Sequence, residues 1–147
     1  MKIYVGSDHA GFQLKQELAE YLKGKGFEVE DLGAFSGERV DYPDFAKAVA
    51  EKVREDTASR GLLVCGTGIG MAIAANKVKG VRAANVHDVT EARLARAHND
   101  ATIVTVGART MGPVTAKDVL DTFFSTDFAG GRHVHRVEKI TAIENGE

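Results

Sequence analysis

The chain has 147 residues, 44 % of them hydrophobic and 27 % charged, which fits one soluble globular domain spanning residues 1–147. Its net charge of −2 provides no bulk basic field for nucleic acid, and no apolar run approaches the length of a membrane span. Cys65 is the only cysteine, which excludes an intramolecular disulfide and a multi-cysteine zinc site and favours a reducing compartment, by default the cytoplasm.

Alternating strand and helix patterns run through the first part of the chain. Residues 2–6 form a short apolar run that predicts a buried strand, and apolar residues spaced three or four apart predict a helix over 12–25. Residues 27–32 alternate apolar and acidic side chains, as a half-solvated strand does. The segment Asp41-Tyr42-Pro43 predicts the start of a second helix, with proline in its first turn.

The second part of the chain continues this alternation. The uninterrupted apolar run from Gly61 to Cys65 is typical of a central strand in a parallel sheet. The elements predicted after it are a helix over 71–77, a strand over 81–86, a helix over 89–97, a strand over 102–106, a helix around 116–124 and a terminal helix over 133–144. Strands that alternate with helices predict a doubly wound α/β fold, in which helices cover both faces of a parallel sheet.

The carboxyl ends of the predicted strands are where a ligand is expected, because sheets of this type bind their ligands there. The segments that follow the strands are 6–11, 65–70, 87–88 and 107–109. They contain many of the chain's chemically reactive side chains, so the candidate site is expected at this edge of the sheet.

The strongest local signal is Cys65 followed by the glycine-rich segment Gly66–Gly70. Glycine at every second position lets backbone N–H groups turn inward and line an anion site, and the same donors suit a developing enediolate oxygen. A helix that begins after the loop would favour the thiolate form of Cys65. The alternative is a small core residue followed by an ordinary tight turn, and position alone leaves both interpretations open.

Two nucleotide-binding motifs compete for this loop, and neither fits it. The dinucleotide fingerprint G-x-G-x-x-G requires glycine at position 71, where the chain has Met71, and the loop follows the third strand rather than the first. The phosphate-binding pattern G-x-x-x-x-G-K-S/T does not occur in the chain. A nucleotide cofactor is therefore not expected.

Two short polar segments are candidate sites: Asp8-His9 follows the first strand, and His98-Asn99-Asp100 follows a predicted helix. Asp8 can cap the helix after it by accepting backbone N–H groups, or it can bind a sugar or phosphate together with His9. His98 can complement the dipole of the helix that it ends, and Asn99 can be the left-handed cap. Taken alone, both segments favour the capping interpretation.

Arg132, His133, His135 and Arg136 form a basic cluster in a net-acidic chain. On a helix, residues 132 and 136 share one face, and two guanidinium groups side by side suit a phosphate monoester. A solvated basic face is the common alternative. The two histidines indicate a metal site only weakly, because no third ligand is evident.

These segments together resemble the family that contains ribose-5-phosphate isomerase B and the galactose-6-phosphate isomerase subunits. The resemblance extends over essentially the full chain with the blocks in the family's order, and the set is specific although no single block is. The matching blocks are Gly6-Ser-Asp-His-Ala-Gly11, Asp41-Tyr-Pro43, Cys65-Gly-Thr-Gly-Ile-Gly70, Ala74-Ala-Asn-Lys77, Gly80-Val-Arg-Ala83, His98-Asn-Asp-Ala101, Gly130-Gly-Arg-His133 and Arg136-Val137.

The resemblance implies a Rossmann-like three-layer sandwich with a C-terminal helical arm. It also implies an aldose–ketose isomerisation through a cis-enediolate, without a metal or other cofactor. Cys65 matches the family's base, His98 matches the residue that opens the sugar ring, and Thr67 lies beside the proton path. One branch of the family has glutamate directly after the glycine loop instead of this cysteine; that position is Met71 here, so Cys65 is the only evident base.

The resemblance further implies where the substrate binds. The matching positions comprise a carboxylate–imidazole pair, the loop amides, one amide side chain and three arginines. They are Asp8, His9, Gly66, Thr67, Gly68, Ile69, Gly70, Asn99, Arg109, Arg132 and Arg136. Family members are usually homodimers or homotetramers with sites shared between two subunits, and neither nucleic acid nor a membrane is an implied partner.

The implied reaction is the interconversion of ribose 5-phosphate and ribulose 5-phosphate in the pentose phosphate pathway. The first alternative is an allose or galactose 6-phosphate isomerase of the same family, because pocket depth decides between pentose and hexose. A non-catalytic sugar-phosphate-binding protein would bind ligand without proton exchange, and the thiol at the strand end argues against it. A thiol-dependent transferase or phosphatase would place an arginine inside the loop, and residues 66–70 contain none.

Overall fold

Five segments of the chain pair side by side into one sheet in which all neighbouring strands are parallel. The computed structural model describes residues 1–147. The strands are β1 (Lys2–Ser7), β2 (Glu28–Asp31), β3 (Arg60–Cys65), β4 (Ala83–Asn85) and β5 (Ile103–Gly107). Their order across the sheet is β2-β1-β3-β5-β4, so β3 lies at the centre and is buried along almost its whole length. An uninterrupted apolar run fits this position, because both faces of the strand are covered.

Six helices accompany the sheet. They are α1 (Phe12–Gly24), α2 (Tyr42–Glu55), α3 (Ile69–Ala75), α4 (Val89–Ala97), α5 (Pro113–Ser125) and α6 (Val134–Glu144). Helices α1, α4 and α5 pack one apolar core against the sheet, and α2 and α3 pack a second core against the opposite face. The predicted doubly wound α/β sandwich is therefore confirmed. None of the helices has the length and hydropathy of a membrane span.

The C-terminal arm consists of the segment from Gly130 onward, and it does not begin as the α-helix that was predicted over 133–144. Residues 131–133 form a 3-10 turn, and α6 follows it. Arg132 therefore lies in the turn and Arg136 in the helix, so the expectation that both lie on one α-helical face is wrong. The turn itself depends on Gly130 and Gly131, whose φ angles of 67° and 55° lie in the left-handed region that favours glycine.

The end of α4 also differs from the prediction. The residue with left-handed backbone is Asp100, with φ of 47°, and not Asn99. Two guanidinium groups hold the Asp100 carboxylate: Arg96 Nη1 donates to Oδ1 at 2.8 Å, and Arg82 Nη2 donates to Oδ2 at 3.3 Å. His98 is the C-cap residue of the helix. The Asn99 side chain is therefore left without a capping role.

A buried ion pair joins α1 to β2 and to the loop that follows it. Lys15 is fully buried, and its Nζ donates to the two carboxylate oxygens of Asp31 at 2.9 and 2.8 Å and to the carbonyl of Ala34. Asp31 Oδ1 also accepts the backbone N–H of Gly33 at 2.9 Å. A buried ammonium is tolerated when it is paired and hydrogen-bonded, and here it fixes the start of the 32–41 loop that leads to α2.

Replacing Gly11 by alanine should destabilise the fold. A Cβ atom at Gly11 would lie 2.4 Å from the carbonyl oxygen of Val64 in β3, and backbone cannot move aside as a flexible side chain can. We expect a loss of about 1–3 kcal/mol in the free energy of unfolding, as at other overpacked sites, measured by urea denaturation. Gly37→Ala is the control, because nothing lies within 4 Å of an added Cβ there. Equal effects of the two substitutions would contradict this explanation.

Candidate active site

Cys65 is the last residue of β3, at the carboxyl edge of the sheet. It pairs with Gly107 of β5 and is 5 % exposed. Its Sγ accepts a hydrogen bond from the backbone N–H of Gly68 at 3.2 Å. This hydrogen bond holds the sulfur against the backbone of the glycine loop. The thiol thus lies at the end of the central strand, where the apolar run places it.

Glycine is required at position 68 of the loop. Gly68 has φ of 81°, and a Cβ atom there would lie 2.4 Å from Asn85 Oδ1. The carbonyl of Gly68 lies 2.8 Å from Thr105 Oγ1, which is also 3.1 Å from Asn85 Oδ1. The Thr105 side chain, in the middle of β5, therefore holds the Gly68 backbone in the conformation that directs its N–H to Cys65.

An open cavity of about 440 Å³ lies over this loop. Its wall is built from the ends of three strands, the loop itself and the beginnings of two helices. The wall residues are Asp8, Tyr42, Cys65, Gly66, Thr67, Ile69, Gly70, Ile73 and Arg109. The structure thus brings the thiol together with Thr67, Asp8 and Arg109, as the position of the strand ends predicts.

Tyr42 belongs to this cavity and was not among the predicted site residues. A Cβ atom added at Gly70 would lie 2.5 Å from Cε1 of the Tyr42 ring, so the ring packs directly on the loop backbone. The side chain is 40 % exposed and forms part of the rim. Its place before Pro43 indicates the start of a helix, and the matching block Asp41-Tyr-Pro43 was not assigned a role in ligand binding.

Asp8 and His9 have different surroundings. Asp8 is 7 % exposed, and its Oδ1 accepts the backbone N–H of Gly11 at 2.9 Å, so it stabilises the turn into α1. The N-cap residue of α1 is Gly11 and no side chain caps this helix, so Asp8 is not the helix cap that was predicted. Nδ1 of His9 lies 3.2 Å from both the backbone nitrogen and the oxygen of Val40, in the loop before α2. Asp8 lines the cavity as well, whereas His9 is not one of its wall residues.

Arg109 brings a positive charge over the loop. Its backbone N–H donates to the carbonyl of Gly66 at 2.9 Å, and a Cβ atom added at Gly66 would lie 3.2 Å from Nη1 of the guanidinium. The guanidinium therefore lies against the loop backbone in the cavity wall. Such a group suits an anionic ligand with oxygen acceptors.

His98 and Asn99 lie at the opposite edge of the sheet from Cys65. Helix α4 starts after β4 at the carboxyl edge and returns to the amino edge, where His98 ends it. Strand β5 then runs from Ile103 to Gly107, beside Cys65. At about 3.3 Å per residue this strand alone separates the two edges by about 13 Å. Within one chain the structure does not bring His98 and Cys65 together.

The C-terminal arm is attached at this amino edge. The backbone N–H of Ala129 donates to the carbonyl oxygen of Ala97, the last residue of α4, at 3.0 Å. The ring of His133 stacks on the ring of His98, with centroids 4.2 Å apart and planes 15° apart. Arg132 and Arg136 are exposed on the arm beyond this contact. The sequence-predicted residues thus fall into two groups, one around Cys65 and one around His98.

Asn99 belongs to the second group. It lines a cavity of about 620 Å³ between the end of α4 and the arm, and its carbonyl accepts a hydrogen bond from Arg82 Nε at 2.9 Å. Ile140 and Ile143 of α6 form the other side of this cavity and are exposed. The arm is therefore attached through few contacts and presents apolar side chains to solvent.

The arm histidines do not combine into a set of metal ligands. His133 is 8 % exposed while His135 is exposed, so His133 does not belong to a solvated basic face. No three His, Cys, Asp or Glu side chains of the chain are gathered closely enough to hold a metal ion. Burial lowers the pKa of His133 below its usual 6.5, and His98, Arg132 and Arg136 act in the same direction. His133 is therefore neutral near pH 7.

Comparisons with known proteins match almost the entire chain. The family model described as ribose/galactose isomerase matches residues 3–140. A ribose-5-P isomerase B of Listeria innocua is 48 % identical over 144 residues, which are 98 % of this chain and 97 % of the relative. The matched residues include both groups of candidate site residues.

Solved structures also match almost the entire chain. Ribose-5-phosphate isomerase B of Clostridium thermocellum has a TM-score of 0.97 and 50 % identity, and the alignment covers 99 % of each chain. Ribose-5-phosphate isomerase B of Mycoplasma genitalium, solved with bound ribulose-5-phosphate, has a TM-score of 0.95 and 42 % identity. That alignment covers 99 % of this chain and 97 % of the other.

Proposed function

Because the chain belongs to the ribose/galactose isomerase family, we propose that it interconverts ribose 5-phosphate and ribulose 5-phosphate through an enediolate. The family membership makes the chain a sugar-phosphate isomerase. The choice of a pentose phosphate is supported by the nearly full-length similarity to the Listeria innocua isomerase B. The Mycoplasma genitalium relative, whose structure holds ribulose-5-phosphate, supports it further.

The observation that carries the proposal is the hydrogen bond from Gly68 to the Cys65 sulfur in the wall of an open cavity. A thiolate in this position can remove the proton from C2 of the open-chain aldose, which moves an electron pair onto the C1 oxygen and forms the enediolate. The sulfur then returns a proton to C1 while the C2 oxygen becomes the ketone. We assign the loop amides to the developing oxyanion, and Thr67 to the proton transfer between the two oxygens.

Ring opening needs a second catalytic group, which we assign to His98. Ribose 5-phosphate exists mainly as a furanose, in which no carbonyl at C1 makes the C2 proton acidic. An imidazole that transfers a proton to the ring oxygen, as the C1 hydroxyl loses its own, releases the aldehyde that Cys65 requires. Because His98 lies at the other edge of the sheet, this group comes from a second chain in the proposed enzyme.

Exposed apolar surface supports a pair of chains. The rim of the Cys65 cavity carries Tyr42, Ile69 and Ile73, which are 40 %, 52 % and 59 % exposed. Helix α6 contributes no buried residue to its own chain. Contiguous apolar surface of this kind marks a surface that another chain covers. We propose a homodimer or a larger homo-oligomer in which the amino edge of one chain faces the carboxyl edge of its partner.

In this arrangement the substrate phosphate is bound by positive charges from both chains. Arg109 lies at the Cys65 cavity, and Arg132 and Arg136 are exposed on the arm beside His98. Guanidinium groups bind phosphate oxygens with paired hydrogen bonds, so three of them suit a phosphate monoester. We assign the remaining contacts with the sugar oxygens to Asp8, His9 and Asn99.

The direct test is to incubate the protein with ribose 5-phosphate and to measure ribulose 5-phosphate formed. Allose 6-phosphate and galactose 6-phosphate are assayed in parallel, and we expect the pentose to be converted with the highest kcat/KM. A higher value for a hexose would overturn the pentose assignment within the family. Binding of all three without proton exchange would instead indicate a sugar-phosphate-binding protein.

His98→Asn should lower turnover of ribose 5-phosphate while preserving proton exchange on ribulose 5-phosphate. Ribulose 5-phosphate cannot close a furanose ring, because its O5 carries the phosphate, so exchange at C1 needs Cys65 and not His98. We expect kcat at saturating ribose 5-phosphate to fall roughly 10²–10⁴-fold, the range for a lost acid–base catalyst. Exchange of the C1 proton in heavy water, followed by NMR, should stay near that of the wild type. Equal loss of both would assign His98 to the enediolate step.

A further inference from the structure

The imidazole of His98 is oriented by stacking and not by hydrogen bonds. Its ring lies 4.2 Å from that of His133, with 15° between the planes, and no hydrogen bond within the chain reaches either ring. Planar aromatic rings in contact attract one another and restrict each other's rotation. Both nitrogens of His98 therefore stay available to a substrate while the plane of the ring is fixed.

His133 is anchored in the fold more firmly than the residues around it. It is 8 % exposed, and it is the only buried residue from Gly130 to the C-terminus. Its backbone N–H donates to the carbonyl of Gly130 at 3.0 Å, within the turn that the two glycines form. The arm thus presents one buried ring to the body of the protein, and that ring lies on His98.

The charge state of His133 suits this contact. Burial, His98 and the two arginines of the arm together lower the pKa of His133, so the ring stays neutral near pH 7. A neutral partner does not repel His98 when His98 carries a proton.

We propose that His133 is a positioning residue, which holds the imidazole of His98 in the plane that sugar-ring opening requires. The proposal rests on the ring-opening role proposed for His98. It attributes the effect to the flat surface of the His133 ring and not to its nitrogens. Phenylalanine at this position should therefore replace histidine, and alanine should not.

The experiment compares His133→Ala, His133→Phe and the control His135→Ala in the full-length chain. His135 is a matched control because it is exposed on the same arm. Two quantities are measured for each variant: kcat at saturating ribose 5-phosphate, and C1 proton exchange on ribulose 5-phosphate in heavy water. We expect His133→Ala to lower kcat by up to about 100-fold, the cost of a misplaced catalytic group, and to leave exchange near the wild-type rate. His133→Phe should recover most of the kcat, and His135→Ala should match the wild type in both measurements.

Several results would overturn the proposal. A wild-type kcat in His133→Ala would show that stacking is not needed, and equal losses in the alanine and phenylalanine variants would indicate a role for a ring nitrogen. A raised KM with unchanged kcat would indicate substrate binding. Loss of exchange in both His133 variants would indicate a general structural role. A wild-type kcat in His98→Asn would instead overturn the function proposed for His98 itself.

Discussion

Replacing Cys65 with alanine should lower kcat roughly 10²–10⁴-fold, the usual cost of removing a positioned base. Asp8 is the other wall residue able to accept a proton, and its Oδ1 is already occupied by the Gly11 N–H. Substrate binding should persist, because the guanidinium groups assigned to the phosphate are unchanged. Calorimetric titration with ribulose 5-phosphate measures the binding, and C1 proton exchange on the same compound should be lost together with turnover.

Labelling provides an independent check of the same assignment, because the chain has a single thiol. Alkylation of Cys65 should inactivate the wild-type protein in proportion to the label incorporated, and bound ribose 5-phosphate should slow the labelling. Cys65→Ser is the matched variant, because serine keeps a small polar group at this position. A hydroxyl is a much weaker acid than a thiol, so the kcat of Cys65→Ser should remain close to that of Cys65→Ala. A wild-type kcat in the alanine variant would show that another group moves the proton.

Mixing Cys65→Ala chains with Arg136→Ala chains should restore activity that neither variant has alone. In a mixed pair, one of the two sites combines the intact Cys65 of one chain with the intact Arg136 of the other. Equal amounts that exchange at random form mixed pairs half of the time, so about one quarter of the wild-type activity is expected for a twofold pair. The assay is run well below KM, where losing the charged hydrogen bond of Arg136 should cost roughly ten- to a hundredfold in rate.

The control is a mixture of Cys65→Ala and Arg109→Ala chains. Both residues lie at the Cys65 cavity, so every site in a mixed pair would carry one of the two substitutions and no activity should return. Native mass spectrometry of differently labelled chains verifies that the subunits exchange. Exchange without recovery in the first mixture would place the whole site within one chain.

The sheet was predictable because its central strands are covered on both faces. β3 and β5 are buried almost throughout, and such strands leave apolar runs that no other element of this length produces. The edge strand β4 was less predictable. A strand was predicted over 81–86, but only Ala83–Asn85 pair with β5. These residues are half-buried and pair on one side only. The pattern of apolar side chains indicates which residues are buried, but it indicates little about where backbone pairing ends at the edge of a sheet.

The candidate site was predictable where residues are contiguous in the chain or follow strands that end at the same edge of the sheet. Cys65 and the loop after it are contiguous, so their proximity follows from the sequence. The packing of Tyr42 on Gly70 and the burial of His133 depend on the paths of a loop and a turn, which residue types do not reveal. In the sequence, His133 is one of four basic residues within the five residues 132–136. Only the 3-10 turn makes it buried while its neighbours are exposed.

In a single folded chain, Cys65 lies at one edge of the sheet and His98 at the other. If the composite site proposed above holds, the catalyst is the pair, and its concentration follows mass action. At dilutions where most chains are unpaired, the number of pairs rises with the square of the chain concentration, so the rate would be second order in protein. At higher concentration it would become first order. A newly made, isolated chain would thus be folded yet unable to open the sugar ring, and the onset of activity would report its assembly.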